Sequence, residues 1–73
     1  MSIDPPTFGN LINRRKGMRY EFVVQDAFPD IVVHRVWLSD GEREFMGRYN
    51  NAFAVEFWDG LTRDGFVPEE KEE

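Results

Sequence analysis

The chain contains no cysteine, one histidine and only two serines, at positions 2 and 39. Without thiolates there are no disulfides and no thiolate metal site. A metal centre would need carboxylates around His34, and none falls at recognised ligand spacing. Ser39 borders a tight turn with no base beside it in the sequence, so no serine–histidine nucleophile arises. Glu42 and Glu44 lie two apart on one strand face, which is the pattern of a solvated sheet rather than an acid–base pair. The glycines at 9, 17, 41, 47, 60 and 65 mark turns, caps and packing, so there is no glycine-rich phosphate loop. These absences exclude the common catalytic classes, cofactor-binding residues and metal ligands, and the expectation is a protein that is not an enzyme.

Long apolar runs are absent as well. None reaches the roughly 18 residues a membrane span needs, and no basic-then-apolar leader opens the chain. With no cysteine this suggests a cytoplasmic, soluble protein with no membrane partner.

What is present is a rich apolar supply. At 73 residues, 41% hydrophobic and 15% aromatic, the chain suits one small domain over residues 1–68. Residues 69–73, EEKEE, read as an acidic disordered tail after Pro68. The net charge of −5 is uneven: residues 1–19 carry four bases against Asp4, while residues 20–73 carry five bases against thirteen acids. An acidic body of this kind repels polyphosphate and favours basic protein surfaces.

Asp4 as N-cap and Pro5 at the first helical position open an expected helix that ends at Gly17. Its stripe is Phe8, Leu11, Ile12 and Arg15, with a frayed arm as the alternative. MRYEFVVQD then alternates as a strand, with Met18, Tyr20, Phe22 and Val24 on one side. Pro29 and Asp30 form a turn.

Asp40-Gly41 between β-rich runs predicts a two-residue hairpin turn, which pairs Trp37 with Glu44 and Val36 with Phe45. One face then holds Val32, His34, Val36, Leu38, Phe45, Gly47 and Tyr49, and it makes the better core. The other holds Val33, Arg35, Trp37, Glu42, Glu44, Met46 and Arg48. His34, opposite Gly47, reads as a half-buried structural histidine. A capping box, Ser39-x-x-Glu42, offers a rival helix from Asp40.

Asn51 can cap a second helix with the stripe Ala54, Phe57, Trp58 and Leu61, flanked by Phe53. Gly60 within it suggests close packing on the sheet. Gly65, Phe66 and Pro68 form a stop signal. The expected fold is α+β, in the order α-β-β-β-α, with a three-stranded antiparallel sheet. The connection between the first two strands decides the faces: an odd loop puts Phe22 on the Val36 side, an even loop on the Trp37 side.

The candidate site is the face expected to be open. Trp37, Val33 and Met46, joined by Val23 and Ile31, form an apolar patch. Arg19, Arg35, Arg48, Glu21, Glu42 and Glu44 fringe it. Trp, Met and Arg are enriched where proteins meet, so another protein is the expected partner, with Trp37 as anchor. The first helix covering this face, or a homodimer packed sheet to sheet, would satisfy the same pattern.

The element order resembles the double-stranded RNA-binding domain. Where that family grips phosphates with lysines, this chain has Asn50, Asn51 and Ala52. Residues 18–61 also resemble the three-strand-plus-helix DNA-binding domains of plant ethylene-response factors and phage integrases. That resemblance implies a groove-reading face of Arg19, Arg35, Trp37 and Arg48, and nucleic-acid binding is the alternative function. In size and charge the chain resembles phage-encoded inhibitors of host machinery, anti-CRISPR proteins included. This implies an acidic nucleic-acid mimic with Asp26, Asp30, Glu42, Glu44, Asp59, Asp64 and the tail acids as contacts.

Overall fold

The computed structural model describes residues 8–25 and 30–69. The strands are β1 (Asn10–Asn13), β2 (Met18–Val24), β3 (Ile31–Trp37), β4 (Arg43–Tyr49) and β5 (Val67–Pro68), with one helix, α1 (Asn51–Arg63), between β4 and β5. All five strands form a single sheet in the order β4-β3-β2-β1-β5, antiparallel throughout. Four strands meander from β1 to β4, and α1 then carries the chain back to the opposite edge. The α+β class stands, but the sheet has five strands rather than three.

The expected first helix is a strand where it is described; its start, at Asp4 and Pro5, lies outside the described residues. Adjacent Leu11 and Ile12 are both buried, at 0 and 1% exposure, and consecutive strand residues reach opposite faces of a sheet. A helix would have put them on one stripe. Residues 14–17 turn the chain into β2, and the Gly17 amide donates to the Asn13 carbonyl at 2.9 Å.

Met18, Tyr20 and Phe22 do share one side of β2, facing α1 with Leu11, Ile31 and Val33. Six residues separate Val24 from its partner Ile31, so the connection is even. Phe22 therefore stands opposite Val33 and Met18 opposite Trp37. The face expected to be open is the one α1 covers, and the expected core face is open.

The hairpin exists, and 43–49 is strand rather than helix, but the turn is longer than two residues. Trp37 and Glu42 close it: the Trp37 amide donates to the Glu42 carbonyl at 2.9 Å, and the Gly41 amide to the Trp37 carbonyl at 2.7 Å. The Asp40 carboxylate accepts from the Glu42 amide at 2.9 Å, and the Leu38 amide donates to the Gly17 carbonyl at 3.0 Å. Those side-chain and tertiary bonds support the extra two residues. His34 consequently pairs with Phe45, and Arg35 with Glu44.

A register shift then follows. Val33 pairs with Gly47, so Met46 is an extra residue in β4. Gly47 has φ +143, a conformation open to glycine, and Tyr49's ring fills the place of its side chain. The bulge turns Gly47 and Tyr49 toward α1 and Arg48 toward the open face.

In α1 the Asn50 side chain, not Asn51, accepts from the Phe53 amide at 2.9 Å as the N-cap. Ala54 and Leu61 are buried, and Phe57 and Trp58 pack on the core as the stripe requires. Phe53 is exposed instead of flanking that stripe. Gly65 takes φ +99, and the Phe66 amide donates to the Leu61 carbonyl at 3.0 Å, driving a 2%-exposed ring back under the helix. Gly60 is exposed with open space where a Cβ would stand, so it serves no close packing.

The core is largely aromatic. Phe22 stacks on Phe8 at 5.6 Å and meets Phe57 and Trp58 edge-on at 5.5 and 5.1 Å. Tyr20 meets Phe57 and Phe66 in the same manner, at 5.6 and 5.3 Å. Such pairs add roughly 0.5–1.5 kcal/mol each beyond area burial, which helps a core this small. Among the described residues no helix is long and apolar enough to cross a membrane.

Candidate functional site

Antiparallel pairing assigns every strand residue to a face. The open face carries Ile12 on β1, Arg19, Glu21 and Val23 on β2, and Val32, His34 and Val36 on β3, with Arg43, Phe45 and Arg48 on β4. No helix lies over it among the described residues. Ile12, Val32 and Val36 are nevertheless buried, so long neighbouring side chains must shield them.

Ion pairs account for one half of that shielding. Arg43 on β4 reaches Glu21 on β2 at 3.0 Å, spanning β3 above the row of Val36 and His34. Arg19 on β2 grips Glu69 just beyond β5, with Nε and Nη2 donating to the two carboxylate oxygens at 3.0 and 2.8 Å, across β1 and Ile12. The Arg19 guanidinium holds the Glu69 carboxyl below its ordinary value, and Asn10 donates a further bond at 3.2 Å. Glu69, read from the sequence as part of the tail, thus bonds to two strands; residues 70–73 lie outside the described residues.

Among the described residues the other half of the face has no such strap. Phe45 is 59% exposed in mid-strand and Val23 is 49% exposed, with Val32 between their strands as floor. The His34 ring meets Phe45 edge-on at 5.7 Å. Half-buried His34 therefore sits on the open face, opposite Phe45 rather than Gly47. Arg48 stands exposed at the rim beside Val32.

The residues chosen from the sequence do not form one patch. Val33 is fully buried in the core, and Met46 packs against that core from the bulge. Ile31, expected to join them, is also in the core. Trp37 is 37% exposed on the helix side, with the Arg35 guanidinium 5.0 Å from its ring centroid. Arg35 in turn donates to Glu44, and that bond, with a second donated to the Tyr20 hydroxyl, raises the guanidinium's pKa. Glu42 is exposed at the hairpin end, and Arg48 is on the opposite face from Trp37. Trp37, Arg35 and Glu44 remain together; Val33, Met46 and Arg48 leave the group.

Among the proposed contact acids, Glu44 is engaged by Arg35 and Asp64 by Lys16, while Asp26 lies outside the described residues. The described residues hold no cluster of His and acidic side chains able to bind a metal ion. Sequence reasoning missed Phe45, His34 and Arg43 as surface partners. Their shared face was readable from the alternation; that the face is uncovered was not. No protein-family model, no curated protein and no solved structure matches this chain.

Proposed function

We propose that the chain is a non-enzymatic protein-binding module whose contact surface is the unstrapped half of the open sheet face. The observation that carries this reading is Phe45, a large aromatic side chain 59% exposed in the middle of a strand. Val23 and Val32 extend it, and His34 and Arg48 supply a polar rim. An apolar centre with a polar, arginine-bearing rim is the anatomy of a protein interface. Trp37, already stacked under Arg35, is a secondary contact at most.

The test compares proteins captured from the source proteome by wild type, Phe45→Ala and Trp37→Ala, each checked for folding. A partner retained by Trp37→Ala and lost by Phe45→Ala supports the reading. Equal recovery of every partner by Phe45→Ala removes it. Sedimentation over a range of concentrations separates a foreign partner from a second copy of the chain, the homodimer alternative.

A second reading, nucleic-acid binding, draws on Arg19, Arg43 and Arg48 sharing the open face with Phe45. Glu69 and Glu21 engage the first two, which weakens the potential such binding needs. Duplex DNA binding at about 50 mM salt that falls steeply by 200 mM would favour it. The narrower idea of an acidic inhibitor that mimics nucleic acid would use the opposite side, where Glu56 and Asp59 are exposed on α1.

A further inference from the structure

Asp30 directly precedes β3, and the Gln25 amide donates to its carbonyl at 3.0 Å, which carries the β2–β3 ladder one residue further. Alternation then puts Asp30 on the side of Val32, the open face. With Asp30 included, the described charges of that face are Arg19, Arg43 and Arg48 against Glu21, Glu69 and Asp30. The face is neutral, so the net charge of −5 falls elsewhere on the chain. Two copies that meet through this face avoid much of the repulsion their net charge imposes.

Four of the six charges are satisfied within one copy, as Arg19 with Glu69 and Arg43 with Glu21. Arg48 and Asp30 have no ion pair among the described residues. One cation and one anion are thus left over, at the same end of the face: Arg48 stands opposite Val32, and Asp30 lies just beyond it. The apolar relief has the same self-matching character. Phe45 on β4 and Val23 on β2 stand exposed on either side of buried Val32, so one copy carries both ridges and floor.

We propose that a second copy of this chain docks on the open face about a two-fold axis near Val32. Phe45 of each copy packs against Val23 of the other, and Arg48 of each pairs with Asp30 of the other. This rests on the reading of the face as a protein contact surface and names its occupant. A foreign protein would need an acid and a base of its own at matched places, whereas a second copy supplies both by symmetry. Association through the sheet edge is the competing route, and the bulge in β4 deters it.

The test is sedimentation velocity from about 10 µM to about 1 mM, a range suited to an interface at the small end of the scale. Wild type should pass from monomer to dimer as concentration rises, and Phe45→Ala should stay monomeric. Arg48→Glu and Asp30→Arg should each dimerise about tenfold more weakly, because two exposed pairs per dimer become like-charged. Mixed in equal amounts, these two variants should associate with each other about as wild type does, each supplying the charge the other lacks. A folding defect in either variant could not produce that recovery. Single variants that associate as wild type does would overturn the proposal, as would a mixture no stronger than its parts or a dimer that Phe45→Ala leaves intact. A wild type that is monomeric at every concentration would overturn it too, while capture of another protein through Phe45 would then leave the contact surface itself standing.

Discussion

Arg19 and Glu69 are fifty residues apart and meet through two parallel hydrogen bonds of 3.0 and 2.8 Å. Their pair reaches over β1 and ties the residue that follows the two-residue β5 to the centre of the sheet. β5 is too short to be held by its own ladder, and Pro68 supplies it with no backbone donor. The ion pair fastens this edge, while on the opposite edge the β4 bulge deters sheet extension.

That relationship predicts a pH-dependent stability. Glu69→Gln should cost about 1 kcal/mol at neutral pH, since the pair is bidentate and partly buried. The folded carboxyl titrates below its ordinary value of 4.5, so as pH falls the unfolded chain takes up the proton first. The contribution is complete above that value and is lost as pH falls through the lower folded value. Urea midpoints of wild type and variant should therefore differ at pH 7 and converge only once the pH has fallen below the lowered folded value.

Gly60 offers a stabilising substitution. It lies inside α1 with open space where a Cβ would stand, and a helical glycine costs about 1 kcal/mol relative to alanine. Gly60→Ala should raise the melting temperature by about 4–8 °C for a domain of this size, read by circular dichroism.

Gly47 predicts the reverse. Its φ of +143 strains any side chain, and an added Cβ would meet the Tyr49 hydroxyl and ring at 3.1–3.4 Å. Gly47→Ala should destabilise by at least about 2 kcal/mol through backbone strain and a displaced ring. Equal melting temperatures for wild type and variant would contradict the bulge.

Phe66 carries the helix stop into the core. Removing a ring this buried costs roughly 3–5 kcal/mol, comparable to the whole stability expected of so small a core. Phe66→Ala should lose its near-ultraviolet dichroism at 25 °C, and survival of a native-like spectrum would show that the ring's packing matters less than its burial implies.

Local patterns were legible where one signal had no competitor. The alternation of Met18, Tyr20 and Phe22, the stripe of Ala54, Phe57, Trp58 and Leu61, and the Gly65-Phe66 stop all appear as the residues imply. β1 was not legible, because Phe8, Leu11 and Ile12 fit a helical stripe as well as a strand with both faces buried. The helix reading lost because the sheet buries both Leu11 and Ile12. The candidate site was legible only in part. Trp37, Arg35 and Glu44 do lie together, but the open surface belongs to Phe45.

The residues alone indicated that β3 and β4 would pair, that a helix would follow, and which side chains alternate along β2 and β3. Tertiary structure decided which of two similarly apolar faces α1 would cover. An even connection from β2 to β3 aligned Phe22 with Val33, and one extra residue at Met46 rotated the end of β4. Side chains in a strand repeat every two residues, so a change of one in a loop or bulge exchanges inside for outside. Composition does not record that parity.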